Sequence, residues 1–573
     1  MRRLGIQGWT AGWLGLIAIF LGAFLVYPTI LMLRRGFGLE GEFTFRYFAL
    51  LAANPLLRQS ILNSTLIATA TTLGTTLLVL PLSHVLTRWK FPGRSALTTL
   101  LLVPMILPPF VGAIGLGQLL ARYGSLNLFL IRLGWMDQAH SIDWFGAGGF
   151  GGIVLLQVFS LYPVLYLNVS AAMSNVDPSL RESASNLGAS GWKIFRTVTL
   201  PLILPGWFAG ATIVWIWSFT DLGAPLVFGF ARVVPVQIFD AVNDLNTNPQ
   251  GFALVVVVLL ATVALFWASK RITGSRQYEM MARGHTGGAE IQASGKQSAL
   301  AWAMALAVAG IALLPHLAVV AQSVAGKWFL TVLPDQLNGN AYGAVLGSGV
   351  AGSSVVNSLF YAGATAVLDA GLGLFLAWIL MRRKLPFAGL LDAVVMLPLA
   401  IPGLVMAFGL FAGYDIDEKK HPWLDGILDP RTNPTVLLIA SYAVRRLPYM
   451  VRSAAAGLQQ TSAALEEASG CFGAGPFTTL RRITVPLIGA NLVAGAILVF
   501  SFSMLEVSDS LILASREKYY PITKAIWALL ARIDPTAPNL ACALGVVGMV
   551  ILSASLVLAG RLLGKKLGSL FRA

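Results

Sequence analysis

Twelve candidate spans of mainly apolar residues, all but one long enough to cross a bilayer, run through this chain. A helix needs about 20 such residues to cross the roughly 30 Å hydrocarbon layer. The stretches lie near residues 11–33, 62–87, 97–121, 150–172, 202–226, 251–269, 299–322, 356–381, 388–412, 434–444, 487–515 and 538–560. The tenth is the weakest, because Arg445 and Arg446 interrupt it early. Lipid-exposed backbone must satisfy its hydrogen bonds internally, which leaves helices or closed barrels. Runs this long, without period-two alternation, exclude a barrel. The chain therefore reads as an all-α integral membrane protein with about 12 transmembrane helices. Only 11% of its 573 residues are charged, against roughly a quarter in soluble domains, so a water-soluble multidomain protein is excluded. Cys471 and Cys542 are too few and too far apart for a disulfide framework or a cysteine metal cluster.

The net charge of +15 invites a nucleic-acid reading until its distribution is followed. With a cytoplasmic N-terminus and alternating spans, the inside segments hold 25 Lys/Arg against 6 Asp/Glu, and the outside loops 15 against 14. That asymmetry is the positive-inside pattern. It places both termini in the cytoplasm and removes any need for nucleic acid. The start, MRRLGIQGW and the apolar run through Leu33, reads as an uncleaved first span rather than a secretory signal. Asn63-Ser64-Thr65 matches a glycosylation sequon, but a match at a span edge carries almost no weight.

The chain is also doubled. NSTLIATATTLGTTLLVLPLSHVLTRWKFPG from Asn63 aligns with NSLFYAGATAVLDAGLGLFLAWILMRRKLPFAG from Asn357, at an offset of 294. Further on, RESASNLGASGWKIFRTVTLPL aligns with EEASGCFGAGPFTTLRRITVPL at an offset of 285. An even number of spans per half gives two parallel six-helix repeats related by an axis along the membrane normal. The halves are 1–270 and 299–573. The polar, Gly-rich segment 271–298 reads as a flexible cytoplasmic linker.

The loops 177–201 and 462–486 carry the sharpest motif. Glu182-Ser183-Ala184 is followed by Gly188, Val198 and Pro201; Glu467-Ala468-Ser469 is followed by Gly473, Ile483 and Pro486. In both copies the glycine lies 6 residues and the proline 19 residues beyond the glutamate. Small residues beside a Glu favour a short helix that another protein can approach closely. Gly ends such a helix by taking positive φ, and Pro can open the next one. Asp177-Pro178 is a start signal for the first copy.

This spacing resembles the EAA loop of type I ABC importer permeases: E-A-A, three residues, G, nine residues, I-x-L-P. Ser183, Val198, Ser469 and Val485 depart mildly from it. The resemblance implies the type I importer permease fold and a fused two-domain permease in the bacterial inner membrane. It further implies two copies of an ABC ATPase at the cytoplasmic loops, with an external solute-binding protein delivering the solute. Glu182 and Glu467 would contact the ATPase, beside Ala184 and Ala468, with Gly188 and Gly473 forming the turns and Pro201 and Pro486 following them. ATP and Mg would sit on the ATPase, with no cofactor on this chain and no enzyme activity of its own. The nearest phosphate-loop lookalike, Gly560 to Lys566, is one residue short and lacks the hydroxyl. The phrases SFTDLGAPLVFG and DPSLRESASNLGASGWKIFRTVTLPL resemble permeases of the ferric-iron group most, with thiamine, polyamine, phosphonate and sugar-phosphate permeases as alternatives. An ion-coupled secondary transporter is the rival from another class, but it has no use for two matched cytoplasmic loops.

A charge in the bilayer is costly, so acids in or near spans are pathway candidates. Asp221 and Glu506 occupy equivalent positions, and Asp509 has Ala224 as its counterpart. Lining a pathway or gate and capping a helix are both open readings for these acids. Asp369 aligns with Thr75 and suits a polar helix–helix contact, whereas Asp392 suits the cytoplasmic end of its span. Pro108 and Pro402 interrupt the third and ninth spans and are candidate gate elements. The five histidines show no metal-ligand spacing, so no metal site is expected.

Overall fold

A computed structural model describes residues 8–38, 43–106, 108–146, 149–244, 250–274, 291–347, 349–383, 385–415 and 426–563. Helix dominates these residues; their only sheet pairs Trp89–Lys90 with Ile291–Gln292 in parallel. Among the described residues, ten helical segments are long and apolar enough to cross a membrane, or eleven if one bent pair counts as a single span. The expected twelve is reached by adding Thr435–Gln459, a helix less apolar than the others because it carries Arg445, Arg446 and Arg452. Those arginines do not end the tenth span. They lie in the middle of a 25-residue helix, so the charge count had assigned two half-buried, ion-paired side chains to the inside surface.

The third and ninth stretches are not straight spans either. Arg94–Leu102 passes into a 3₁₀ turn, Val103–Ile106, and a new helix begins at Pro109. In the second half Ala388–Met396 passes into Leu397–Leu399, and Gly403–Tyr414 restarts after a bend of 99°. Pro108 and Pro402 are both extended, at ψ 124° and 143°. A proline lacks the N–H for the helical ladder and clashes with the preceding turn, so each chain breaks there and begins again.

The chain forms two compact units that do not follow its sequence halves. One comprises Met1–Pro55, Gln237–Leu259 and Gly339–Leu570. In it the first span packs on second-half helices: Tyr27 donates to the Gly413 carbonyl at 3.3 Å, and Tyr414 donates to the Ala23 carbonyl at 3.1 Å. The other comprises Leu56–Val236 and Leu260–Asn338. There Gly295–Ser323 turns Ala301, Ala305, Ala309 and Ala312 into a core with Leu82, Leu101, Tyr162 and Leu165. Small residues permit that approach. At Gly115 a side chain would collide with the Pro315 carbonyl. Of the expected linker, 275–290 lie outside the described residues. Residues 271–274 extend the preceding helix Gln250–Gly274, and Ser294 caps the next with a reciprocal capping box to Gln297.

Within each unit the same clamp holds a long helix to a short one. Asn63 donates to the Arg232 carbonyl at 2.8 Å, and Ser64 accepts from the Val234 N–H at 2.9 Å. Asn357 donates to the Tyr520 carbonyl at 3.1 Å, and Ser358 accepts from the Ile522 N–H at 2.8 Å. The sequon-like Asn63-Ser64 is thus a structural element. Ser64→Ala and Ser358→Ala each orphan a buried N–H and should lose about 1–3 kcal/mol, read as a lower thermal midpoint of the purified chain. Thr65→Ala is the control, because that hydroxyl bonds only within its own helix, to Ile61. Equal midpoints for all three would refute the clamp.

Candidate functional site

The two repeated loops fold alike, residue for residue. Asp177 caps the helix Pro178–Asn186 by accepting from the Ser179 N–H at 2.9 Å, and Ser462 caps Ala463–Cys471 through Ala464 at 3.3 Å. The Ser179 backbone bond holds the Asp177 carboxyl below its ordinary range. Each helix ends at a glycine of positive φ, +81° at Gly188 and +82° at Gly473. There the N–H of the next residue folds back to the helix, Ala189 to the Ala184 carbonyl and Ala474 to the Ser469 carbonyl. A side chain in that conformation would be strained, which is why glycine stands at both turns.

Pro201 and Pro486 stand in the first turn of the α-helices that follow, but those helices are not new starts of the chain's helical path. The helical path already starts at Gly191 and Pro476, then passes through one wide π turn, Phe195–Thr199 and Leu480–Thr484. The prolines sit just beyond it, at the start of Leu200–Phe219 and Val485–Met504. A wide turn moves the carbonyl that a proline ring would otherwise strike.

Glu182 and Glu467 are exposed, as is Ala468, while Ala184 is half-buried. Neither glutamate makes an ion pair among the described residues. Beside the turn glycines, Leu187 is 88% and Phe472 92% exposed. These equivalent apolar side chains were missed in the sequence reading, although an apolar residue precedes the glycine in both copies. The second loop is also anchored inward. Glu466 accepts from Arg382 Nε at 3.2 Å and Trp378 Nε1 at 3.3 Å, and Arg382 Nη2 reaches the Leu458 and Thr461 carbonyls at 2.9 and 3.0 Å.

The candidate pathway acids have contrasting surroundings. Asp221 accepts from Gln157 Nε2 at 3.1 Å and from the Gly223 N–H at 3.1 Å, at the start of the short helix Gly223–Val227. Its partners are neutral. Glu506 and Asp509 instead meet cations from Thr435–Gln459: Arg445 bridges them at 2.6 and 3.2 Å, and Arg446 also pairs with Glu506. Ser441 adds a bond to Asp509 at 2.9 Å, and the Arg445 guanidinium fills the place a side chain would take at Gly403. Asp369 is fully buried, and neither carboxyl oxygen finds a hydrogen-bond partner among the described residues, so the expected polar contact is not formed. Asp392 is half-exposed opposite Arg452 at 3.9 Å. Among the described residues no group of three His, Cys, Asp or Glu is placed to hold a metal. His285, His421 and Gly564 to Lys566 lie outside them.

Comparison with known proteins agrees with this duplicated organisation. The chain is 25% identical over 462 residues to a protein named ferric transport system permease protein FbpB from Actinobacillus pleuropneumoniae, covering 79% of this chain and 64% of that protein. It thus spans just under two thirds of that relative. It is 28% identical to the probable ABC transporter permease protein y4fN from Sinorhizobium fredii, covering 92% of both. The molybdenum transport system permease protein ModB of Haemophilus influenzae matches 33% of this chain but 82% of its own length, at 29% identity. The family model for binding-protein-dependent transport system inner membrane components matches twice, at residues 79–276 and 370–569. Two copies of that domain cover most of the chain, which therefore belongs to the family of binding-protein-dependent transport system inner membrane components.

Proposed function

We propose that this chain is the fused permease of a type I ABC importer and moves a small solute into the cytoplasm by alternating access. An external solute-binding protein delivers the solute, and two copies of an ABC ATPase grip the loops 177–201 and 462–486. The observation that carries this reading is the pair of geometrically matching loops. Each presents an exposed glutamate and a bare apolar side chain, Leu187 or Phe472, beside a glycine turn. An exposed apolar residue rimmed by polar ones suits a partner surface. ATP and Mg belong to the ATPase subunits. Their closure would draw the loops together and open the path outward, and hydrolysis would return it, a two-state rigid-body change.

Asp221, Glu506, Asp509, Pro108 and Pro402 are the proposed pathway or gate elements. The helix breaks at the two prolines and the ion cluster on Arg445 support that role. Ferric iron is the proposed cargo, supported by the naming of the Actinobacillus relative and by the sequence phrasing. The ModB relative, named for molybdenum transport, points to molybdenum instead, and thiamine, polyamines, phosphonates and sugar phosphates are further alternatives. Titrating the purified cognate binding protein with each candidate settles the cargo: affinity for ferric iron supports it, and exclusive affinity for another solute overturns iron while leaving the transporter class intact.

In proteoliposomes holding the full complex, Glu182→Arg with Glu467→Arg should cut uptake at least about tenfold, the equivalent of ~1.4 kcal/mol in coupling. It should also abolish stimulation of ATP hydrolysis by loaded binding protein. Unchanged uptake would refute the docking role. Arg445→Gln strips Glu506 and Asp509 of their shared cation and should cost about 3–5 kcal/mol of stability. Adding Asp509→Asn should recover part of that loss, since one fewer buried charge is left unpaired. A melting curve that does not distinguish the single from the double variant would remove Arg445 from the cluster's energetics.

A further inference from the structure

The two repeats differ at one matched place beside the loops. In the second half the Glu466 carboxylate is held by Arg382 and Trp378, as described above. At the repeat offset of 294, Trp378 and Arg382 correspond to His84 and Arg88; at 285, Glu466 corresponds to Arg181. The first half therefore keeps the donors and replaces the acceptor with a second guanidinium. Arg88 and Arg181 lie within electrostatic reach of each other and of His84. The His84 ring stands edge-on to Phe195 at 5.5 Å, and Phe195 stacks on Trp192 at 5.6 Å. Arg181 Nε is buried without a hydrogen-bond partner, and neither arginine forms an ion pair among the described residues. The neighbouring Glu182 points to solvent.

We propose that His84, Arg88 and Arg181 bind a phosphate group in the place that Glu466 fills in the other repeat. Two guanidiniums and an imidazole outnumber what a single carboxylate can satisfy: Glu466 meets one guanidinium and one neutral indole. A phosphate offers several acceptor oxygens and matches guanidinium forks in pairs. Burial and the Arg88 charge pull the Arg181 guanidinium below its ordinary pKa, a strain that an anion between the two would relieve. Arg88 is the last residue of the membrane-length helix Pro55–Arg88, which places the cluster at the depth of phospholipid headgroups. The phosphate can thus come from an anionic lipid or from free phosphate. This site does not depend on the identity of the cargo.

The test uses the full chain in nanodiscs of phosphatidylcholine with and without phosphatidylglycerol, and separately with inorganic phosphate in solution, read by thermal midpoint and native mass spectrometry. A raised midpoint with retained phosphatidylglycerol identifies a lipid site, and a raised midpoint with inorganic phosphate alone identifies a soluble-anion site. Arg88→Gln and Arg181→Gln should each weaken binding about tenfold, the usual worth of one charge-assisted bond. Arg181→Glu rebuilds the second-half pairing with Arg88. It should keep the midpoint high and make it indifferent to either anion, which a merely misfolded variant cannot do. No anion response in the unaltered chain, a response undiminished in both Gln variants, or stabilisation only on adding the ATPase subunit would overturn the proposal.

Discussion

Hydrocarbon offers no hydrogen bonds, so every polar group taken into the membrane must find its partner within the protein. That constraint explains where this chain is regular and where it is not. Its long helices satisfy their own backbone. Its breaks at Pro108 and Pro402 are followed at once by new helices, and the segments after Phe219 and Met504 end in capped or ion-paired turns. Two adjacent arginines are tolerated mid-helix because two acids meet them. Asp369 departs from that rule: it is a buried carboxyl whose two oxygens both lack a hydrogen-bond partner among the described residues.

Duplication gave the two halves one backbone plan and let their polar interiors diverge. The helices Phe150–Ser174 and Thr435–Gln459 match throughout their 25 residues. Yet Gln157, which serves Asp221 in the first, stands where the second has Tyr442, and Arg445 and Arg446 replace Ser160 and Leu161. The first half solves its buried acid with an amide that is itself bonded to Ser218 and Thr71. The second solves two acids with two guanidiniums, a stiffer and more costly arrangement, because removing one member strands the others. Equivalent position therefore does not mean equivalent electrostatics.

Much of the architecture was legible in the residues because it rests on local rules. Span length follows from hydropathy, the doubling from two alignable segments, and the turn at Gly188 and Gly473 from the steric freedom of glycine. The failures have a common origin in tertiary context. Arg445-Arg446 looks like a span end in any window that cannot see Glu506 and Asp509. The sharp bend at Pro402 exceeds what a proline in an apolar run announces. The grouping of the first span with second-half helices leaves no periodic trace at all. At the loops, Leu187 and Phe472 were readable as a repeated apolar residue, but their near-complete exposure was not, since apolar residues ordinarily seek cover.

The paired π turns have a further consequence. A π turn is an α-helix with one surplus residue, and each helical residue turns the chain by about 100°. The surplus in Phe195–Thr199 and Leu480–Thr484 thus sets the angular phase between each loop and the membrane helix above it. The two copies share that phase as well as their length. A rotation imposed on either loop would therefore reach its own membrane helix with the same angular sense.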